Sequence, residues 1–413
     1  MRSEDAMKRF ITGVTVLAVA FSTLPACAPQ EQAVPDSSAL EQSISESISA
    51  DISSDPEPVS SQAAAPALEV AVGDATVSVA ADAELSTFDV SAVENLPVFS
   101  APDAQCSITW NGESVFEGAA EALKEFRPSQ NGVYTYKVAL PDGSAYQFGV
   151  NCQFSVKITV PTTVQQGETI LIRADYANGI TLTAQSGLDF TPQFFASGDN
   201  TQTALLPVRY TTAPGAYPLT VQAGEVTFRY EIQVQKREFE VQYLTMDPGT
   251  AADTALSAAA NAEWEQKIEP LKKIADPQRY WENPFLQPVE GEITTEFGCI
   301  RYTNDDPNPT RHSGIDIATA KGTPVLASNN GRVLFADYLQ LTGNTILIEH
   351  GYGLKTFYYH MDSLNVKAGD MVQKGQQIGA VGTTGYSTGP HLHFGLAVNN
   401  VFVNPWTALQ NGI

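Results

Sequence analysis

From about Glu69 to Leu244 apolar residues recur at alternate positions in short runs: Val77 and Val79, Ile108 and Trp110, Tyr134, Tyr136 and Val138, then Phe148, Val150, Phe154 and Val156. Successive side chains on a strand face opposite sides, so this period of two specifies half-buried strands and leaves no stretch for a long helix. Asn-Gly, Asp-Gly and Pro signals separate the runs at the spacing of antiparallel strands. A break near Val160-Pro161 divides the region into two β-sandwich units, 69–160 and 161–246. The second runs through Thr169 to Arg173, Leu205 to Tyr210, Tyr217 to Val221 and Phe228 to Val234.

In strand spacing both units resemble immunoglobulin-like sandwiches. Cys106 shares the alternating face of Ile108 and Trp110, and Cys152 that of Phe148, Val150 and Phe154, so both thiols point into one core. A Cys106–Cys152 disulfide is the favoured reading for an oxidising compartment, with two buried free thiols as the alternative. Cys299 has no partner and reads as a small buried residue.

The formal charge of the 413-residue chain is -23, which argues against nucleic-acid or anionic-membrane binding through a basic surface. Between Arg9 and Lys124 there are 17 Asp and Glu and no Lys or Arg. The start of the chain accounts for part of this pattern. Lys8 and Arg9 precede an apolar run from Phe10 through Leu24, too short to span a bilayer comfortably. Leu24-Pro25-Ala26-Cys27 resembles the lipobox of a bacterial lipoprotein signal, which implies residues 1–27 as signal with lipidated Cys27 as the new N-terminus. Pro25 departs from the small residues usual there. Residues 28–68, rich in Ser, Ala, Pro and Glu, cannot bury enough apolar surface to fold and are expected to be a disordered acidic tether. Residues 247–276 read as a helical linker, with helix from about Ala251 to Ile274, disturbed at Pro270 and ended by Asp276-Pro277.

The chemistry concentrates in residues 277–413, a β-rich domain expected to be an antiparallel sheet. All five histidines fall between His312 and His393. Alternation lets His391 and His393 project into one cleft, and likewise gives Tyr358 and His360 a shared face. The four-residue spacing of His312 and Asp316 allows both to reach one ion. Imidazoles with a carboxylate favour zinc, and two imidazoles plus a carboxylate leave a fourth position for water, the arrangement of a catalytic site. Such a site hydrolyses amides or esters. Three of His312, Asp316, His360, His391 and His393 suffice as ligands, which leaves two to handle protons. His-x-His alone, or His-x-x-x-Asp alone, would be uninformative.

Several segments then resemble one family in order: Arg311-His312-Ser313-Gly314-Ile315-Asp316, Ile348-Glu349-His350-Gly351-Tyr352-Gly353 leading to Tyr358-Tyr359-His360, and Gly382-Thr383-Thr384-Gly385 with Gly389-Pro390-His391-Leu392-His393-Phe394. They are similar to the lysostaphin and LytM zinc endopeptidases over about Phe285 to Leu409. The resemblance implies one zinc per chain on His312, Asp316 and His393, with His360 and His391 as the catalytic pair. His391 is the favoured general base. His350 matches a noncatalytic family position, and Tyr358 is either a substrate contact or packing. The implied substrate is the peptide of bacterial peptidoglycan, reached by an extracytoplasmic, membrane-anchored lipoprotein. The alternative is a catalytically silent scaffold that binds envelope protein partners. A solute-binding lipoprotein fits poorly, because repeated βα units are missing.

Overall fold

The alternation is realised as strands. In the first unit Gln105–Trp110 pairs with Glu113–Ala119 and with Gly132–Ala139, which pairs with Ala145–Cys152, and Ser86–Val90 adds in parallel at the edge. A second sheet of Leu68–Val72, Ala75–Val79 and Val98–Phe99 packs against it. Val70, Ile108, Tyr136, Phe148 and Val150 are buried between the two. The computed structural model describes residues 65–81, 83–198, 200–245, 257–304 and 306–413. Cys27, the lipobox and nearly all of the acidic tether lie outside the described residues.

The expected disulfide is corrected. Cys106 and Cys152 are separate buried thiols. They share a core but not a level along the strands. Cys106 lies opposite Val138, and Val138 opposite Tyr146, whereas Cys152 is six residues farther along that strand, opposite Gly132. Six residues of strand span about 20 Å, and a disulfide requires Cα atoms within about 7 Å. Burial pushes both thiols up, Cys152 to about 12.

The second unit stacks two four-stranded sheets around Ile170, Ile172, Leu206, Leu219, Val221 and Ile232. Lys157–Thr159 pairs with Thr169–Asp175, so this unit begins a few residues ahead of the Val160-Pro161 break. Beyond it the strand Val241–Leu244 leaves the sandwich and pairs in parallel with Ile300–Thr303. The sequence reading missed this strand, which is only four residues long. The linker helix is Ala258–Lys267, capped by the Ser257 hydroxyl on the Ala260 amide, while Ala251 and its neighbours lie outside the described residues. Pro270 sits in the first turn of a separate short helix, Glu269–Lys272, where its missing N–H is tolerated.

Residues 277–413 build a ten-stranded antiparallel sheet with Glu292–Thr295, Gly314–Ala318, His391–Val398, Leu354–Leu364, Gly343–Gly351 and Gly331–Leu339 in that spatial order. One face buries Ile315, Ile317, Ile346, Ile348, Tyr358, Leu392 and Phe394. Asp316, Tyr359 and His393, in register across three adjacent strands, belong to the other face. The second sandwich packs on this domain. Phe195 stacks on Tyr352 with ring centroids 4.8 Å apart, and the Tyr352 hydroxyl donates to the Ala196 carbonyl at 2.7 Å.

His350 is structural. It is fully buried, with Nδ1 2.7 Å from the Asn330 carbonyl and Nε2 2.7 Å from Thr356 Oγ1. Burial lowers its pKa from 6.5 to about 4. The folded chain therefore holds it neutral while the unfolded chain protonates it below about pH 6.5. Its contribution is fully present above that pH and falls by about 3 kcal/mol as pH drops to about 4, then levels off. The difference in unfolding free energy between wild type and His350→Asn, followed from pH 7 to 4, measures this term.

Candidate metal centre

His312 and Asp316 reach the site from opposite ends of the His-Ser-Gly-Ile-Asp segment. His312 precedes the strand Gly314–Ala318, and Asp316 lies within it, directly opposite His393 on His391–Val398. Close approach explains the glycine between them. A Cβ on Gly314 would overlap the Phe394 carbonyl and come within 2.9 Å of His393 Nε2.

The strand Leu354–Leu364 does not hold its alternation through the site. Ile346 pairs with Tyr358 but Asn344 with Met361, so Tyr359 and His360 together oppose Thr345 in a bulge. His360 has φ +62°, a left-handed conformation that histidine tolerates better than most residues. The bulge corrects the expected shared face of Tyr358 and His360. Tyr358 is fully buried against Phe394, and its oxygen accepts the Ser328 amide at 2.8 Å, so it is a core residue and not a substrate contact. His360 instead lies beside His391, ring centroids 4.8 Å apart, while Tyr359 stacks flat on His393 at 4.7 Å.

Three donor atoms converge. His312 Nε2, Asp316 Oδ1 and His393 Nδ1 lie 2.9 Å from one another in every pair. The other ring nitrogens are engaged elsewhere. His312 Nδ1 donates to the Glu296 carbonyl at 3.1 Å, and His393 Nε2 is 3.4 Å from Ser313 Oγ. With those tautomers, two imidazole lone pairs and a carboxylate oxygen face one another with no proton between them, which is repulsive unless a cation sits there. All three side chains are buried. Burial opposes ionisation of Asp316, and the two histidine rings set against its Oδ1 outweigh it and hold the carboxyl well below the usual range. Burial brings His393 down to about 4, the neutral form a ligand requires.

His360 and His391 complete the cluster. His360 Nδ1 donates to the Thr384 carbonyl and His391 Nδ1 to the Gly389 carbonyl, each at 2.9 Å. Both Nε2 atoms are thereby left as acceptors. His391 Nε2 is 3.8 Å from Asp316 Oδ1. Burial, with His391 and His393 adding to it, brings His360 down to about 3. Cys299 is buried, its thiol raised by burial, and takes no part in the cluster.

Residues 310–405 fit the sequence profile of peptidase family M23. The C-terminal domain belongs to that family. Among the relatives of this chain, peptidoglycan DD-endopeptidase ShyB of Vibrio cholerae is 44% identical over 109 residues, 26% of each chain. DD-carboxypeptidase/endopeptidase Mpg of Neisseria meningitidis is 44% identical over 94 residues, 23% of this chain and 22% of that protein. The chain thus spans about a quarter of the length of each of these two relatives. The catalytic domain of lysostaphin from Staphylococcus simulans, a solved structure, is 33% identical with a TM-score of 0.24, over 32% of this chain and 93% of that one. Zinc is the cofactor of this M23 domain, and the converging two-imidazole, one-carboxylate set fits it.

Sequence reasoning missed the supports of the cluster. Arg301 Nη2 is 2.6 Å from Asp316 Oδ2, the carboxylate oxygen turned away from the other donors. The Glu296 and Thr384 carbonyls fix imidazole tautomers. Backbone carbonyls leave no mark in a sequence. Arg301 does, as a cation in a short strand just before the His312 motif, but only the pairing of strands tells which carboxylate it meets.

Proposed function

We propose that this chain is an extracytoplasmic zinc endopeptidase that hydrolyses peptide bonds in the stems or cross-bridges of peptidoglycan, held at the membrane by lipidated Cys27. The observation that carries the reading is the convergence of His312, Asp316 and His393 with two further imidazoles alongside, both with free Nε2 acceptors. The names of the two curated relatives, both peptidoglycan or DD-specific endopeptidases, favour the substrate class.

His312, Asp316 and His393 would hold the zinc. Bound there, zinc lowers the pKa of water and polarises a carbonyl oxygen. The chain's own residues do the proton work. His391 is the more accessible of the pair, its side chain 16% exposed, and its Nε2 is free to take a proton from the attacking water. The Gly389 carbonyl stabilises the resulting imidazolium at Nδ1, and Nε2–H then returns the proton to the leaving amine. His360, buried and fixed through Nδ1 by the Thr384 carbonyl, presents an unprotonated Nε2 beside His391 and orients the reacting groups. Five intact side chains favour this enzyme over the silent scaffold. The test is release of soluble peptide fragments from purified peptidoglycan. Release that stops on chelation and returns with added zinc supports the reading, and stoichiometric zinc without release from any wall type supports the scaffold.

A further inference from the structure

The metal centre is braced by a residue that lies outside the M23 domain. The interdomain strand Val241–Leu244 sits in register with Ile300–Thr303, which puts Gln242 beside Arg301. Gln242 Oε1 accepts from Arg301 Nε at 3.3 Å, and Gln242 Nε2 donates to the Thr294 carbonyl at 3.3 Å. Arg301 Nη2 in turn donates to Asp316 Oδ2 at 2.6 Å. Thr294 Oγ1 reaches the Asp316 carbonyl at 3.4 Å and closes the circuit.

We infer that Arg301 and Gln242 are positioning residues for the metal centre: the strand between the second sandwich and the peptidase domain fixes the carboxylate of Asp316 so that only Oδ1 faces the ion. The inference rests on the zinc-site reading above. A carboxylate can rotate to present either oxygen or both, and each alternative changes the charge and geometry offered to a metal. The guanidinium fork removes that freedom by occupying Oδ2 with a short charge-assisted bond. Arg301 is itself a long side chain, still 23% exposed, and needs a second anchor to hold its plane. Gln242 provides it from a strand that begins four residues after the second sandwich's Arg237, whose guanidinium is tied back to Glu168 at 2.7 Å. The interdomain strand and the zinc ligand are thereby connected through two side chains, Gln242 and Arg301. Outer partners of metal ligands typically account for about 10- to 100-fold in metal affinity.

The test is zinc affinity of the full chain by competition with a chromogenic chelator, measured beside the melting of the metal-free protein and the kcat and KM for peptidoglycan fragments. Arg301→Ala is expected to weaken zinc binding about 10- to 100-fold, to lower kcat at subsaturating zinc with KM little changed, and to leave metal-free melting near wild type. Arg301→Lys is expected to recover only part of the loss, because a point charge cannot hold the carboxylate plane. Gln242→Ala, which touches no ligand, is expected to shift zinc affinity in the same direction by a smaller factor. Zinc affinity within twofold of wild type for folded Arg301→Ala overturns the inference. Should Arg301→Ala not fold, unchanged affinity in Gln242→Ala overturns it equally. Because zinc is read directly, a chain that binds zinc but cleaves nothing would sink the endopeptidase reading and leave this inference standing.

Discussion

His391→Ala is expected to lower peptide-bond cleavage by about 10²- to 10⁴-fold, the usual weight of a general base, while the protein retains one zinc per chain. The separation of the two effects follows from geometry. His391 Nδ1 is bound to the Gly389 carbonyl, and its Nε2 stands 3.8 Å from Asp316 Oδ1, outside the 2.9 Å triangle of donors. Removing the ring takes away a proton acceptor and leaves the triangle whole. Metal analysis of the purified variant beside its turnover checks both halves. Loss of zinc in His391→Ala would move this residue into the ligand set and undo the division of roles.

Asp316→Ala is expected to have the larger effect, since it removes metal and activity together. The carboxylate is the single anionic donor of the set and is shared by His312 and His393 at 2.9 Å. Its loss leaves two neutral imidazoles. It also leaves the Arg301 guanidinium, now 2.6 Å from an absent partner, facing the site as an unpaired cation that repels a divalent ion. Zinc should fall from about one per chain to near zero after dialysis, with cleavage at background. Retention of stoichiometric zinc by this variant would mean that the ion sits elsewhere.

Much of this organisation was legible in the sequence, for physical reasons that differ by region. The sandwiches were readable because each buries one face, so Tyr134, Tyr136 and Val138 or Phe148 and Val150 had to alternate. The same rule put His391 and His393 on one face, whereas Asp316, which pairs directly with His393, was marked by its four-residue spacing from His312. It failed at His360, where one extra residue in Leu354–Leu364 and a positive φ reset the alternation, sent Tyr358 into the core and turned Tyr359 toward His393. It failed also for Cys106 and Cys152. Alternation gives the face of a residue but not its level along the strand, and the level rules out the bridge. Gln242 and Arg301 were beyond it altogether, because their meeting depends on a parallel pairing between segments 59 residues apart.

The most direct test of the central claim is to incubate the zinc-loaded protein with purified peptidoglycan and identify the newly formed termini by mass spectrometry. New amino and carboxyl termini within peptide stems or cross-bridges, with intact glycan, are expected with wild type and not with His391→Ala. Glycan cleavage, or no new peptide termini from a protein carrying stoichiometric zinc, would contradict that claim.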